Sequence, residues 1–392
     1  MDYDIRRQFP EFDVEVAEIT ADALKARLDA GTPVTVLDTR RPADAEAWAL
    51  SYPNVTVVNV PFTEFVEDGQ PVESVPEGVP EGPLVVSCAE GITSRFVGEF
   101  LTAVGREDVE VLVDGMEGWA RLYVGTPLSE TGPTAEIIQY HRPSSGCLGY
   151  LVVDGDEAAV IDPLRAFTDR YREDAASRGA TLTYAVDTHV HADHISGVHA
   201  LGATESTTPV MPAGAVDRGL NADVRLVEPD ERLVVGDTEI EAVSLVGHTT
   251  EMTGYRVGDV LMTGDSLFID GIARPDLEDP EEAHEAAGRI YDTLEWLAEE
   301  PADTLIAPGH LTLETARKHE PPYVERLGEV RGRLRGFDLD RAGFIDFLLS
   351  SMPPRPNNFE EIIAINLGQQ RVDEGAAFEL ELGPNNCAAS GD

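Results

Sequence analysis

Between residues 34 and 115, short apolar runs alternate with a stretch of helical period. Residues 34–40, 83–88 and 110–115 each read as a strand. Residues 94–105 place Phe96, Val97, Phe100, Leu101 and Val104 on one face, with Gly105 as the stop, and read as a helix. Strand, helix, strand repetition predicts a parallel sheet covered on both faces. Residues 126–136 are rich in Gly, Pro, Ser and Thr and read as a linker. After them the pattern changes. Residues 149–163 read as a hairpin with Asp154-Gly155-Asp156-Glu157 as its turn, and 222–248 as further short strands. Residues 282–299 predict a helix with Ile290, Leu294 and Leu297 inward. The last sixty or so residues mix helices and loops, and Pro353-Pro354-Arg355-Pro356-Asn357-Asn358 reads as a hinge or docking turn. No internal repeat is visible.

The length of 392 residues exceeds one ordinary core. The expected division is a first domain over 1–125, a linker over 126–136, a second domain over 137–330 and a C-terminal extension, 331–392, packed on the second domain. Lys+Arg 29 against Asp+Glu 73 leaves a net charge of −44, and only Lys25 and Lys318 are lysines. The carboxylates are dispersed rather than gathered in a tail. Such a surface suits high salt, where the Debye length falls to about 3 Å at 1 M, so a halophilic source is expected. It disfavours nucleic acid as a partner, because phosphate binding needs basic stripes. No apolar run reaches the roughly 18 residues of a membrane span, and the first residues lack the features of a signal peptide. A cytoplasmic location is expected. The cysteines are Cys88, Cys147 and Cys387, an odd number that argues against a disulfide framework.

Cys88 follows an apolar strand and precedes a helix, so its thiol meets a helix N-terminus whose backbone N–H groups favour the thiolate. Gly91 lets the loop curl around the sulfur as an anion nest, which suits a cysteine persulfide. Asp38-Thr39-Arg40, the loop Cys88-Ala89-Glu90-Gly91-Ile92-Thr93-Ser94-Arg95 and the closing run Asp114-Gly115-Met116-Glu117-Gly118-Trp119 resemble the rhodanese family over roughly residues 15–125. The resemblance makes Cys88 the sulfur-accepting nucleophile. Arg95 comes one position later than the arginine of C-x5-R phosphatases, which argues for sulfur over phosphate. Two features depart from the family: the usual Gly-His-Ile segment is replaced within 51–61, and Glu90 puts a negative charge in the loop.

The segment Thr188-His189-Val190-His191-Ala192-Asp193-His194 concentrates four candidate ligands. Histidines two apart can address one metal from a single loop, while Asp193 and His194 project toward a second position. Imidazole and carboxylate donors suit zinc, iron or manganese. Gly247-His248-Thr249, Thr263-Gly264-Asp265 and Pro308-Gly309-His310 each set one further ligand at a strand end. Together these resemble the metallo-β-lactamase superfamily over roughly residues 137–320. The resemblance implies one metal position at His189, His191 and His248, another at Asp193, His194 and His310, and Asp265 between them. The implied fold is α/β throughout: a rhodanese-like doubly wound parallel sheet, then an αββα sandwich. His141, His199, His284 and His319 lack such contexts and read as packing or surface residues.

Fold alone does not decide the chemistry. The run 187–197 and the run 264–277, with its Arg274-Pro275-Asp276-Leu277 ending, are similar to persulfide dioxygenases, and a rhodanese domain handles the same class of sulfur. That likeness implies one Fe(II) per chain on His189, His248 and Asp265. His191, Asp193, His194 and His310 would surround it, with Asp193 and Arg274 as further catalytic candidates and Cys147 near the mouth. The implied substrates are a low-molecular-weight thiol persulfide and O2, with a thiol acceptor for Cys88. The alternative is a hydroxyacyl-thioester hydrolase like glyoxalase II, with one or two zinc ions. Either enzyme can form a homo-oligomer.

Overall fold

The computed structural model describes residues 12–128, 135–204, 206–350, 352–383 and 387–390. The chain divides into two units, up to Leu122 and from Tyr123. In the first, β1 (Ala17–Ile19), β2 (Val34–Asp38), β3 (Val55–Asn59), β4 (Leu84–Ser87) and β5 (Val109–Leu112) lie in the order β1-β5-β4-β2-β3. Every pairing is parallel. Helix α1 (Ala21–Asp29) opens on Thr20, whose side chain accepts from Ala23 N. Helix α2 (Ile92–Ala103) buries Phe96, Val97, Phe100 and Leu101 with Leu37, Leu84, Val86 and Phe65. Each such side chain contributes about 1.5–3 kcal/mol by leaving water. Val104, expected on that face, is instead the C-cap and is exposed, because the helix stops there and Gly105 turns the chain with φ 94°. Helix α3 (Gly115–Ala120) follows β5.

The second unit is two sheets between helices. The first sheet takes β6 (Val124–Pro127), β7 (Glu136–His141), β8 (Leu148–Asp154), β9 (Glu157–Ile161), β10 (Thr181–Val186), β11 (Thr208–Pro212) and β12 (Arg225–Val227), in the order β12-β11-β10-β9-β8-β7-β6. The second takes β13 (Arg232–Val235), β14 (Thr238–Ser244), β15 (Thr253–Val257), β16 (Val260–Gly264), β18 (Leu305–Pro308) and β19 (Glu325–Arg326), in the order β13-β14-β15-β16-β18-β19. Strand β17 (Gly271–Ala273) stands apart and pairs with β20 (Ala388–Ser390). The hairpin predicted over 149–163 is β8 and β9, with Asp154 opposite Glu157 and Gly155 at φ 60°.

The alternation along each strand decides the layers. Leu148, Tyr150 and Val152 point into a core shared with Leu233, Ile240, Tyr255 and Met262 of the second sheet. Leu151 and Val153 point the other way, to Tyr171 and Ala175 of α4 (Thr168–Ser177). On the far face of the second sheet, Leu261 and Ile306 pack on Ile290, Leu294 and Leu297 of α5 (Ala283–Glu299). The result is helix, sheet, sheet, helix. Of the expected linker 126–136, residues 129–134 lie outside the described residues; Thr126 and Pro127 pair with β7. The C-terminal extension carries α6 (Phe359–Asn366) and α7 (Glu374–Leu380), with Ile362, Ile365 and Ala377 packed on Ile195. No helix among the described residues is long and apolar enough to cross a membrane.

Candidate metal centre

The ligand loop begins where β10 ends beside β9. Asp162, at φ 51°, accepts from Thr188 N at 2.7 Å on Oδ1 and from Thr188 Oγ1 at 3.0 Å on Oδ2. Since the Thr188 hydroxyl proton points to Asp162, its oxygen accepts from His189 Nδ1 at 2.9 Å. That assigns the tautomer of His189 and leaves Nε2 bare. His248 follows β14 at a close crossing: a Cβ on Gly247 would stand 2.4 Å from Ile290 Cγ1. Nδ1 of His248 donates to the Arg274 carbonyl at 2.8 Å, again leaving Nε2 bare. Asp265 follows β16. Its Oδ1 meets His310 Nδ1 at 2.5 Å, and its Oδ2 stands 3.8 Å from His189 Nε2 and 3.7 Å from His248 Nε2.

Those three inward atoms are buried and have no hydrogen-bond partner. Leaving such groups unpaired costs about 1–3 kcal/mol each, and a divalent cation removes that cost. Two imidazole nitrogens and a carboxylate oxygen within 4.8 Å of one another fit a first-row metal of the zinc or iron type. Burial, with His191 and His248 nearby, holds His189 well below the ordinary imidazole range, and burial also lowers His248. Both rings are neutral, as ligands must be.

A second group, Cys147, Asp193, His194 and His310, lies within the same span. Asp193 Oδ2 meets His310 Nε2 at 2.8 Å, Cys147 Sγ at 3.2 Å and His194 Nδ1 at 3.3 Å, while Asp193 Oδ1 and His194 Nε2 are unpartnered. Burial opposes a charge on His310, but the Asp193 and Asp265 carboxylates hold it well above the usual imidazole range. Burial and His191 likewise oppose His194, yet Asp193 pushes it up to about 9. Cys147, expected near the mouth, is fully buried. Burial and Asp193 act to raise its thiol, and His310 and His194 more than offset them. His191 turns elsewhere: its Nε2 is 3.2 Å from Asp162 Oδ1 and 3.5 Å from Asp187 Oδ1, and Nδ1 is unpartnered.

Arg274 sends its guanidinium away from these donors. It grips Asp276 at 2.7 and 3.1 Å and donates to Pro354 O at 2.8 Å, so the 353–358 turn docks here, with Arg355 also on Asp276. Three further residues are absent from the sequence reading of the site. Asn366 donates to the carbonyls of His191 and His194, both at 2.9 Å, and accepts from Ser196 N. Glu381 accepts from Ile195 N and from the buried Arg142. Cys387 sulfur lies within 4.8 Å of Asp265 and His310 ligand atoms. No local motif marks any of them. His199 Nε2 pairs with Asn366 O at 2.8 Å, and the His141 ring packs edge-on to Tyr323.

In the first unit Cys88 is buried, its Sγ 3.3 Å from Ser94 Oγ. The closing run clamps its loop: Met116 N donates to Cys88 O at 2.8 Å and Glu117 N to Ala89 O at 2.9 Å. A Cβ on Gly115 would stand 2.3 Å from Cys88 O, so only glycine fits. Gly91, at φ 81°, opens α2.

Residues 20–122 match the model of the rhodanese-like domain, and 143–310 that of the metallo-beta-lactamase superfamily. The chain is 32% identical over 223 residues to the mitochondrial persulfide dioxygenase ETHE1 of Homo sapiens, covering 53% of this chain and 84% of that protein. It is 32% identical over 154 residues to the hydroxyacylglutathione hydrolase of Rhodospirillum rubrum, covering 39% and 56%. The crystal structure of ETHE1 from Myxococcus xanthus superposes with TM-score 0.51 at 25% identity, over 63% of this chain and all of that one. A metallo-beta-lactamase from Staphylococcus aureus superposes with TM-score 0.55 at 23% identity, over 62% and 75%, a likeness of fold. With its paired sheets and its buried, partnerless histidine and aspartate donors, the chain belongs to the metallo-beta-lactamase superfamily, carries a rhodanese-like domain ahead of it, and is a metal-dependent enzyme.

Proposed function

We propose that this chain oxidises the outer sulfur of a low-molecular-weight thiol persulfide to sulfite with O2, using one Fe(II) on His189, His248 and Asp265, and that Cys88 exchanges sulfane sulfur. The observation that carries the reading is the bare trio of two imidazole nitrogens and one carboxylate oxygen, with His191 turned to Asp162 and Asp187. His189, His248 and Asp265 would hold iron(II), which when bound would supply the redox chemistry that joins O2 to the outer sulfur. The likeness to persulfide dioxygenases and the rhodanese domain in the same chain support the same substrate class.

The chain's own residues do the positioning. Asp162 and Thr188 set the tautomer of His189, and the Arg274 carbonyl sets that of His248; Arg274 is thereby a positioning residue. Every donor is buried, which strengthens the electrostatic interactions among them. The overall change is RS–SH + O2 + H2O giving RSH and sulfurous acid. His310, held between Asp193 Oδ2 and Asp265 Oδ1, orients the Asp265 carboxylate so that Oδ2 faces His189 and His248. In the first unit the Cys88 loop, held by Met116 and Glu117, either passes sulfane sulfur to a thiol acceptor or joins it to sulfite as thiosulfate.

The Cys147, Asp193, His194 and His310 group favours a second reading, a zinc hydrolase of hydroxyacyl thioesters. One experiment separates them: oxygen uptake by anaerobically purified, iron-loaded protein given a thiol persulfide at high salt, with metal content measured on the same sample. Iron near one per chain with persulfide-dependent uptake supports the dioxygenase. Zinc, no uptake and thioester cleavage overturn it.

A further inference from the structure

The C-terminal segment brings a thiol to the metal centre. Strand β20 pairs antiparallel with β17 in the register Gly271↔Ser390, Ile272↔Ala389 and Ala273↔Ala388. Arg274 N donates to Cys387 O at 3.3 Å and carries the pairing one residue further. Strand β17 follows the Asp265 loop and leads into Arg274, whose carbonyl sets His248. The segment is therefore seated on the strand that links two of the three donors. Cys387 is fully buried with Ala192, Phe268 and Leu277. Its sulfur, an Asp265 carboxylate oxygen and a His310 ring nitrogen lie within 4.8 Å of one another. Asp265, one of these three, also carries the buried, unpartnered Oδ2 that faces His189 and His248, so the thiol stands beside a residue of the bare trio.

We propose that Cys387 is a sulfur carrier within the active site: it takes the outer sulfur of an incoming thiol persulfide and presents it, as its own persulfide, beside Asp265. The inference rests on the persulfide reading above. The transfer balances as RS–SH + Cys387–SH giving RSH + Cys387–S–SH. The donor's S–S bond breaks, and its electron pair and the Cys387 proton leave together as RSH. A lone pair of Cys387 Sγ forms the new S–S bond. That bond adds about 2.05 Å of reach to a sulfur already against the centre. Cys147 is placed for a different task, held between Ser145 Oγ at 2.9 Å and Asp193 at 3.2 Å.

The test is anaerobic exposure of the iron-loaded full chain to glutathione persulfide, then thiol blocking, digestion and mass analysis of the peptides holding Cys387, Cys147 and Cys88. The expected result is one added sulfur on Cys387, and loss of persulfide-dependent oxygen uptake in Cys387→Ser with iron content unchanged. An unlabelled Cys387 beside a labelled Cys88, or wild-type uptake by Cys387→Ser and Cys387→Ala, overturns the inference. Labelling in the wild type is decisive even where a variant folds poorly. Absence of uptake by the wild-type protein sinks the dioxygenase reading and this one with it; normal uptake with Cys387 unlabelled sinks this one alone.

Discussion

His248 donates its Nδ1 proton to the backbone carbonyl of Arg274, 2.8 Å away. The same arginine fastens Asp276 and Pro354 through its guanidinium. One residue thus holds a metal-facing ring by its main chain and anchors the C-terminal extension by its side chain. Arg274→Met leaves the carbonyl in place but leaves Asp276 to Arg355 alone. Because Asp276 keeps Arg355, the cost stays below the roughly 3–5 kcal/mol of an uncompensated buried charge. We expect a lower unfolding midpoint in urea, with weaker metal binding as the consequence of a loosened His248.

Thr188→Val tests the tautomer argument at His189. The hydroxyl that receives the Nδ1 proton and donates to Asp162 is lost, while the shape is nearly kept. Removing such a partner lowers metal affinity by about 10–100-fold. Competition with a chelator measures it, and a wild-type affinity would refute the assignment.

Asp265→Ala removes a donor that faces both His189 and His248. The expected outcome is protein with little bound metal and no oxygen uptake, read by elemental analysis and an oxygen electrode. Sulfur transfer at Cys88 should persist, because the Cys88 loop is built within the first unit.

Gly115→Ala is the reciprocal experiment. A Cβ 2.3 Å from Cys88 O must push the loop aside, and φ 55° strains any other residue. Sulfurtransferase activity should collapse while metal content stays at the wild-type level.

Asn366→Ala probes a brace that lies far along the chain from the loop it holds. Two buried carbonyls lose a donor and Ser196 N loses its acceptor. Each buried group left unsatisfied costs about 1–3 kcal/mol. Chemical denaturation should show the loss, and Asn366→Asp should not restore it, because a carboxylate cannot donate to the carbonyls.

The two folds were legible in the chain because their signals are local. The apolar run 148–153 closed by the turn Asp154-Gly155-Asp156-Glu157 marks a hairpin, and the helix over 283–299 shows its buried stripe in Ile290, Leu294 and Leu297. The histidine and aspartate residues that the fold gathers were legible for a related reason. Each stands in a short run at a strand end, as in Gly264-Asp265 after β16, where a loop must turn toward the sheet edge. Val104 shows the limit: period alone assigned it to the buried face, and the helix end released it.

By itself, the sequence determined the two kinds of domain, the Cys88 loop and the short histidine and aspartate runs that the fold gathers, because motifs and periodicity are properties of neighbouring residues. The family likeness had named the trio His189, His248 and Asp265; the tertiary structure shows their bare atoms within 4.8 Å of one another and His191 turned to Asp162 and Asp187. Only the tertiary structure supplied Asn366, Glu381, Cys387 and the Arg274 carbonyl. Asn366 reaches Ser196 across 170 residues, and a main-chain oxygen has no letter in the sequence. Such contacts arise when packing closes one segment onto another, and no local pattern foretells them.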